Sequence, residues 1–157
     1  MNDLAKQVVE RMTAAGLTLG TAESTIGGLI GHLLTDVPGS SKVFVGGITA
    51  YHGRPKQSLL NVPVETLRDH GSVSEEATVA MARGGREALQ VDFCVAESGI
   101  AGPSSNPDRP GGLYWIAVSG SDGDVTERHV FPGDREDTKL AASEAALRLV
   151  LAAVARR

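Results

Sequence analysis

Cysteine is nearly absent from this sequence: of 157 residues only Cys94 is one, inside the apolar run DFCVAE. A single thiol excludes an intrachain disulfide and any cysteine-rich zinc site, and its apolar flanks mark it as core filler. Aromatic residues are scarce at 4%, too few for the stacking platforms that hold single-stranded nucleic acid. Basic clusters are missing as well. The formal net charge is −4, and no more than two Lys or Arg residues adjoin, which argues against a grip on a phosphate backbone. A small anion remains possible as a ligand, because one or two cations and a helix N-terminus suffice for it. No apolar run approaches the ~20 residues that span a bilayer. The start, MNDLAKQVVERM, lacks the continuous apolar core of a signal peptide. The expectation is a cytoplasmic protein with neither nucleic acid nor membrane as partner.

What is present reads as one domain over residues 1–157, long enough to bury a core without staples. Residues 3 to 15 carry Leu4, Val8, Val9 and Met12 at helical spacing, with Asn2 or Asp3 placed to cap them and Gly16 to end them. Leu17–Ala22 reads as a strand and Ile26–Leu34 as a helix. KVFVGGITAY is a β-rich run whose Gly46-Gly47 pair suggests a bulge or a close backbone approach. Two short helices follow, then a longer one over SVSEEATVAMARGGREALQ, where Ser72 and Glu75 fit a capping box. Gly84-Gly85 inside that helix points to close packing on a neighbour. DFCVAESG reads as a buried strand, GLYWIAVSG and VTERHVF as a hairpin, and GDREDTKLAASEAALRLVLAAVARR as a long helix ending in basic residues. Strands alternating with helices and closing on a hairpin predict a three-layer α/β/α sandwich around a mixed, largely parallel sheet. Ligands gather at the carboxyl ends of strands in such sheets, where ESTIGG and ESGIAGP both fall.

Four turns carry the chemistry. Ser24, between strand and helix, is placed where free N–H groups and the helix dipole favour a developing oxyanion, although a serine there is more often a simple N-cap. A serine nucleophile needs a base, and no Ser-His-Asp set is legible among His32, His52, His70 and His129. A desolvated lysine can replace histidine. Of four lysines, Lys56 is singled out by YHGRPK, which joins a strand ending at Tyr51 to the next helix; a surface lysine is the plainer alternative. ESGIAGP offers a hydroxyl and exposed amides in a tight turn. Arg135 opens the last helix within GDR, free to meet an anion or simply to be solvated.

In this order the turns resemble the CinA C-terminal domain family, whose stand-alone members are nicotinamide mononucleotide deamidases. The matching segments are TAES..GG at 21–28, LTDVPGSS at 34–41, Y....K at 51–56, HGSVSEE at 70–76, SGIAGP at 98–103, RP.G..W at 109–115 and GDRE at 133–136. The resemblance implies hydrolysis of nicotinamide mononucleotide to nicotinic acid mononucleotide and ammonia, with no metal or organic cofactor. It implies Ser24 as nucleophile and Lys56 as base, with Tyr51 and Ser98 relaying protons or orienting the lysine. Gly27 and Gly28 would supply oxyanion amides. Thr25, Gly99, Ala101 and Gly102 would border the substrate, and Arg135 would meet its phosphate. A homodimer or larger homo-oligomer is also implied. The chain departs from the family pattern at Thr25, Ile26, Gly46, Ala50 and His52-Gly53 and in the shorter loop SSNPDRPGG, changes expected to surround the pocket and to alter specificity or activity. Besides the amidohydrolase, a weak or inactive homologue binding a nucleotide-like ligand or a protein partner stays open.

Overall fold

The structure, a computed structural model, describes residues 2–156, Asn2 by its backbone alone. Helix α1 (Asn2–Ala15) turns Ala5, Val8, Val9 and Met12 inward and ends at Gly16, whose φ of 66° reverses the chain. Asp3 therefore lies inside the helix and not at its cap, while the Asn2 side chain falls outside the described residues. Strands β1 (Leu19–Glu23), β2 (Phe44–Thr49), β3 (Phe93–Gly99), β4 (Leu113–Gly120) and β5 (Gly123–Val130) form one sheet in the order β2-β1-β3-β4-β5. The β2/β1 and β1/β3 pairings are parallel, and the β3/β4 and β4/β5 pairings antiparallel. Four of the five strands consequently point the same way, a mixed and largely parallel sheet. The pairing of β1 with β2 slips at Val45, just before the Gly46-Gly47 pair, so the irregularity is a bulge.

Two crossovers place the remaining helices. Helix α2 (Leu29–Thr35) and a 3₁₀ turn (Ser40–Lys42) lead from β1 to β2. Helices α3 (Gly53–Leu60), α4 (Val64–His70) and α5 (Glu75–Leu89) lead from β2 to β3 on the opposite face. Helix α6 (Arg135–Ala155) then packs beside α1 and α2, completing three layers. Large side chains fill that side: Leu19, Phe93, Val95, Ile116 and Val118 of the sheet meet Ile30, Leu34 and Leu147. Against α5 the sheet instead turns small groups, Ala22, Cys94, Ala96 and Ala117. The glycine pair in α5 exploits this. A Cβ at Gly84 would run into the Leu60 carbonyl, and one at Gly85 would come within 2.7 Å of Cys94 Sγ. Cys94 itself is buried, and desolvation pushes its thiol up to about 12, as an inert core residue requires.

The cap of α5 differs from the expected box. Ser74 is the N-cap and accepts from the Ala77 amide at 3.2 Å, two residues beyond Ser72. The Ser72 carbonyl is engaged elsewhere. At the start of α6 a capping box does form, between Asp134 and Asp137. At its end no basic residue falls in the last turn, Arg156 is the C-cap, and Arg157 lies outside the described residues.

Candidate active site

Chain order makes the site. From β1 the chain moves out to β2, then crosses back past β1 to β3. The crevice between the ends of β1 and β3 is therefore a topological switch point, where connections leave in opposite directions and open a cleft. A cavity of about 320 Å³ lies there, bordered by Ser24 and Thr25 after β1, Tyr51 after β2, Lys56 of α3, Ser72-Val73 before α5, residues 98–103 at and beyond the end of β3, and Arg135 of α6. Of the eleven residues singled out in the sequence, Ser24, Thr25, Tyr51, Lys56, Ser98, Gly99, Ala101, Gly102 and Arg135 border this cavity. Gly27 and Gly28 do not.

At its floor Lys56 Nζ lies 2.7 Å from Ser24 Oγ. The ammonium also donates to the carbonyls of Ala50 at 2.8 Å and Tyr51 at 3.3 Å. The lysine is only 1% exposed, an unusual place for a chain that normally reaches water. Desolvation lowers its pKa, and the Glu97 charge partly opposes that. Burial thus loosens the hold of the amine on its proton beside the serine hydroxyl.

Ser24 does not stand at a helix N-terminus. Gly27 and Gly28 adopt φ of 74° and 101°, so α2 begins only at Leu29, five residues after the serine. The first amides of that helix are already taken. Glu23, buried at the end of β1, accepts from Gly28 and Gly31 at 2.9 Å and from Ile30 at 3.1 Å. The oxyanion donors expected at Gly27-Gly28 thus fail at Gly28, because a carboxylate has satisfied its N–H. Ser24 and Ile26 donate their amides to Glu97. Among the described residues, the Thr25, Ala101 and Gly102 amides beside the cavity have no such partner.

The other side chains divide their duties. Thr25 Oγ1 donates to the Gly99 carbonyl at 2.7 Å and accepts from the Gly99 amide at 3.1 Å, stitching the two turns together. Ser98 Oγ donates to the Ser72 carbonyl at 2.7 Å and not to the lysine. Tyr51 orients Lys56 through its backbone carbonyl, while its ring is exposed at the rim and meets His52 edge-on. Arg135 lies over Gly102, where a Cβ would come within 2.8 Å of the guanidinium. None of the four histidines borders the cavity. Among the described residues, no three His, Cys, Asp or Glu side chains cluster as a metal site.

Three of the departures from the family pattern lie elsewhere than expected. Ile26 is 1% exposed and packs in the core beneath α2, and Ala50 is buried against the α5 layer. Gly46 faces Leu89, outside the cavity. These three changes alter packing under and beside the site, whereas the departure at Thr25 falls in the cavity lining. Two residues given no role from the sequence, Glu23 and Glu97, turn out to build the turn itself. Their signal was present: each is an acid after a run of small and apolar residues in a buried strand, Glu23 ending LGTAE and Glu97 within FCVAESG.

The fold and site together define a class: an α/β/α domain with a buried serine–lysine pair at its switch point. The CinA C-terminal domain model matches residues 1–154, and the chain belongs to that family. It is 39% identical over 146 residues to the nicotinamide-nucleotide amidohydrolase PncC of Escherichia coli K12, covering 92% of this chain and 88% of that protein. A CinA-like protein of Parasynechococcus marenigrum is 48% identical over 135 residues, 85% of this chain. The chain spans about a third of that longer relative, whose covered share is 32%. Among solved structures, a CinA superfamily protein of Klebsiella pneumoniae superimposes with a TM-score of 0.95 at 29% identity, covering 99% and 98% of the two chains. The competence/damage inducible protein of Agrobacterium tumefaciens gives 0.93 at 34% identity, covering 96% and 93%.

Proposed function

We propose that this protein hydrolyses the carboxamide of nicotinamide mononucleotide to the carboxylate, releasing ammonia, with Ser24 as nucleophile and Lys56 as base. The observation that carries this reading is the buried 2.7 Å contact between Lys56 Nζ and Ser24 Oγ at the cavity floor. The match to the PncC amidohydrolase along most of both chains supports the substrate class.

The chemistry follows from the geometry. Neutral Lys56 takes the Ser24 hydroxyl proton as Oγ attacks the carboxamide carbon. Negative charge then develops on the carbonyl oxygen, and the unpartnered amides of Thr25, Ala101 and Gly102 are the donors at hand. The ammonium of Lys56 returns its proton to the departing nitrogen, so ammonia leaves and an ester on Ser24 remains. Water, deprotonated by the same amine, cleaves that ester. Arg135 at the rim meets the substrate phosphate through its guanidinium. No step calls on a metal or an organic cofactor, and the partner in this reading is the small nucleotide itself.

Purified protein should release ammonia from nicotinamide mononucleotide, and Ser24→Ala and Lys56→Ala should each lower kcat by at least about a thousandfold. Absence of ammonia at high enzyme concentration, with the nucleotide still bound, would reject the hydrolase in favour of a ligand-binding protein.

A further inference from the structure

Glu97 is the most deeply enclosed acid at the site, 0% exposed at the end of β3. One of its oxygens, Oε1, accepts the amides of both Ser24 and Ile26, the second at 2.9 Å. These two N–H groups flank the nucleophile turn, so the carboxyl clamps the backbone that aims Ser24 Oγ at Lys56. The other oxygen, Oε2, has no hydrogen-bond partner among the described residues. An unpartnered oxygen on a fully buried carboxyl is costly when charged and tolerable when protonated. Consistent with this, desolvation pushes the Glu97 carboxyl up to about 7, against the two amide bonds that favour its charge.

The ionisable groups acting on it come from several elements. Glu23 of β1 opposes its ionisation and Lys56 of α3 favours it. Tyr114 of β4, which feels both Glu97 and Arg135 of α6, is itself pushed up to about 12 by burial. From the segment between β1 and α2, the amides of Ser24 and Ile26 meet the carboxyl. Its influence on Lys56 is direct: the Glu97 charge raises the affinity of that amine for its proton.

We propose that Glu97 is the positioning residue of the dyad: it holds the Ser24 turn through two amides and sets, by its own charge, how readily Lys56 becomes neutral. It touches no substrate and acts only through Ser24 and Lys56. The kinetic part of this inference rests on the hydrolase reading above; its electrostatic part does not.

Glu97→Gln separates clamp from charge, because the amide oxygen still accepts the two N–H groups while the charge is gone. The Lys56 amine, followed by NMR of protein carrying ¹³C-labelled lysine, should titrate about half a pH unit or more lower in this variant than in the wild type. The acid limb of kcat/KM for nicotinamide mononucleotide should move in the same direction, as should the pH dependence of Ser24 sulfonylation by phenylmethylsulfonyl fluoride. Glu97→Ala, which removes the clamp, should lower kcat by about tenfold or more with KM changed little. An unchanged Lys56 titration in Glu97→Gln would overturn the electrostatic role, and wild-type kcat in folded Glu97→Ala would overturn the clamp. If Glu97→Ala does not fold, Glu97→Asp stands in for it, since its shorter side chain misplaces the acceptor while keeping the charge. Failure of the wild type to release ammonia would reject the hydrolase alone, because the titration and sulfonylation still read Glu97.

Discussion

Lys56 is buried on α3, a helix packed against α5, with two carbonyls and one hydroxyl as its hydrogen-bond partners. Two carbonyl acceptors fix the amine in place without supplying a counter-charge, so its direction is set while its proton stays labile. Lys56→Arg removes that lability, because a guanidinium stays protonated at any working pH. Ammonia release by this variant is expected to fall at least about a hundredfold across pH 6 to 9, even if the cation still fits. Recovery of activity at high pH would show that the residue at 56 contributes charge and not basicity. Thr25 shows a different use of a side chain at the same turn. Its hydroxyl is spent on the Gly99 backbone in both directions, so it fixes the spacing of the two turns and has no donor left for substrate.

At the scale of elements, α2 illustrates how one carboxylate can decide where a helix starts. The segment ESTIGGLIGHLL has no side-chain cap at Gly28, yet Glu23 reaches forward from the strand and receives three amides of the helix start. A negative charge at this end also opposes the positive pole of the helix. Glu23→Ala should therefore cost about 2–4 kcal/mol of unfolding free energy, since three buried or half-buried N–H groups lose their acceptor. Urea denaturation reads this directly; a loss below about 1 kcal/mol would mean that water replaces the carboxylate there. The same element explains the family departure at Ile26. Its apolar chain enters the core between α2 and the sheet, a place where a branched hydrophobe stabilises and a hydroxyl would need a partner.

For the whole molecule, burial of Glu97 and Lys56 has opposite consequences for stability. The Glu97 carboxyl keeps its proton up to about pH 7 in the folded chain, against an ordinary value of 4.5. Between those pH values the unfolded chain has already released that proton, so rising pH favours unfolding through this group. The full effect is on the order of a few kcal/mol. Lys56 works the other way: its lowered folded pKa makes it contribute stability as pH rises toward its ordinary 10.5. Thermal midpoints of wild type and Glu97→Gln should consequently diverge from pH 5 to pH 8, with the variant gaining. Parallel curves over that range would mean that Glu97 titrates normally.

The layered order of strands and helices was legible because apolar spacing and turn residues are local properties. Helix α1 follows from the helical spacing of its apolar residues, strand β3 from its apolar run and the β4–β5 hairpin from composition, all read within a few residues of one another. The family motifs likewise mark Ser24, Lys56, the SGIAGP turn and Arg135, because glycine, proline and catalytic residue types leave fixed spacings in the chain. What the sequence could not convey is which groups meet. Ser24 and Lys56 are 32 residues apart and Ser24 and Glu97 73, and only the switch of direction at β1 brings the three together. The same packing sent Ile26 and Ala50 into the core instead of the cavity, moved the α5 cap to Ser74, and gave the α2 amides to Glu23 instead of an oxyanion. The chain alone determined the elements and the reactive residue types, because those depend on neighbours in sequence. Tertiary structure decided the hydrogen-bond partners and the proton affinities, because desolvation and charge act through space.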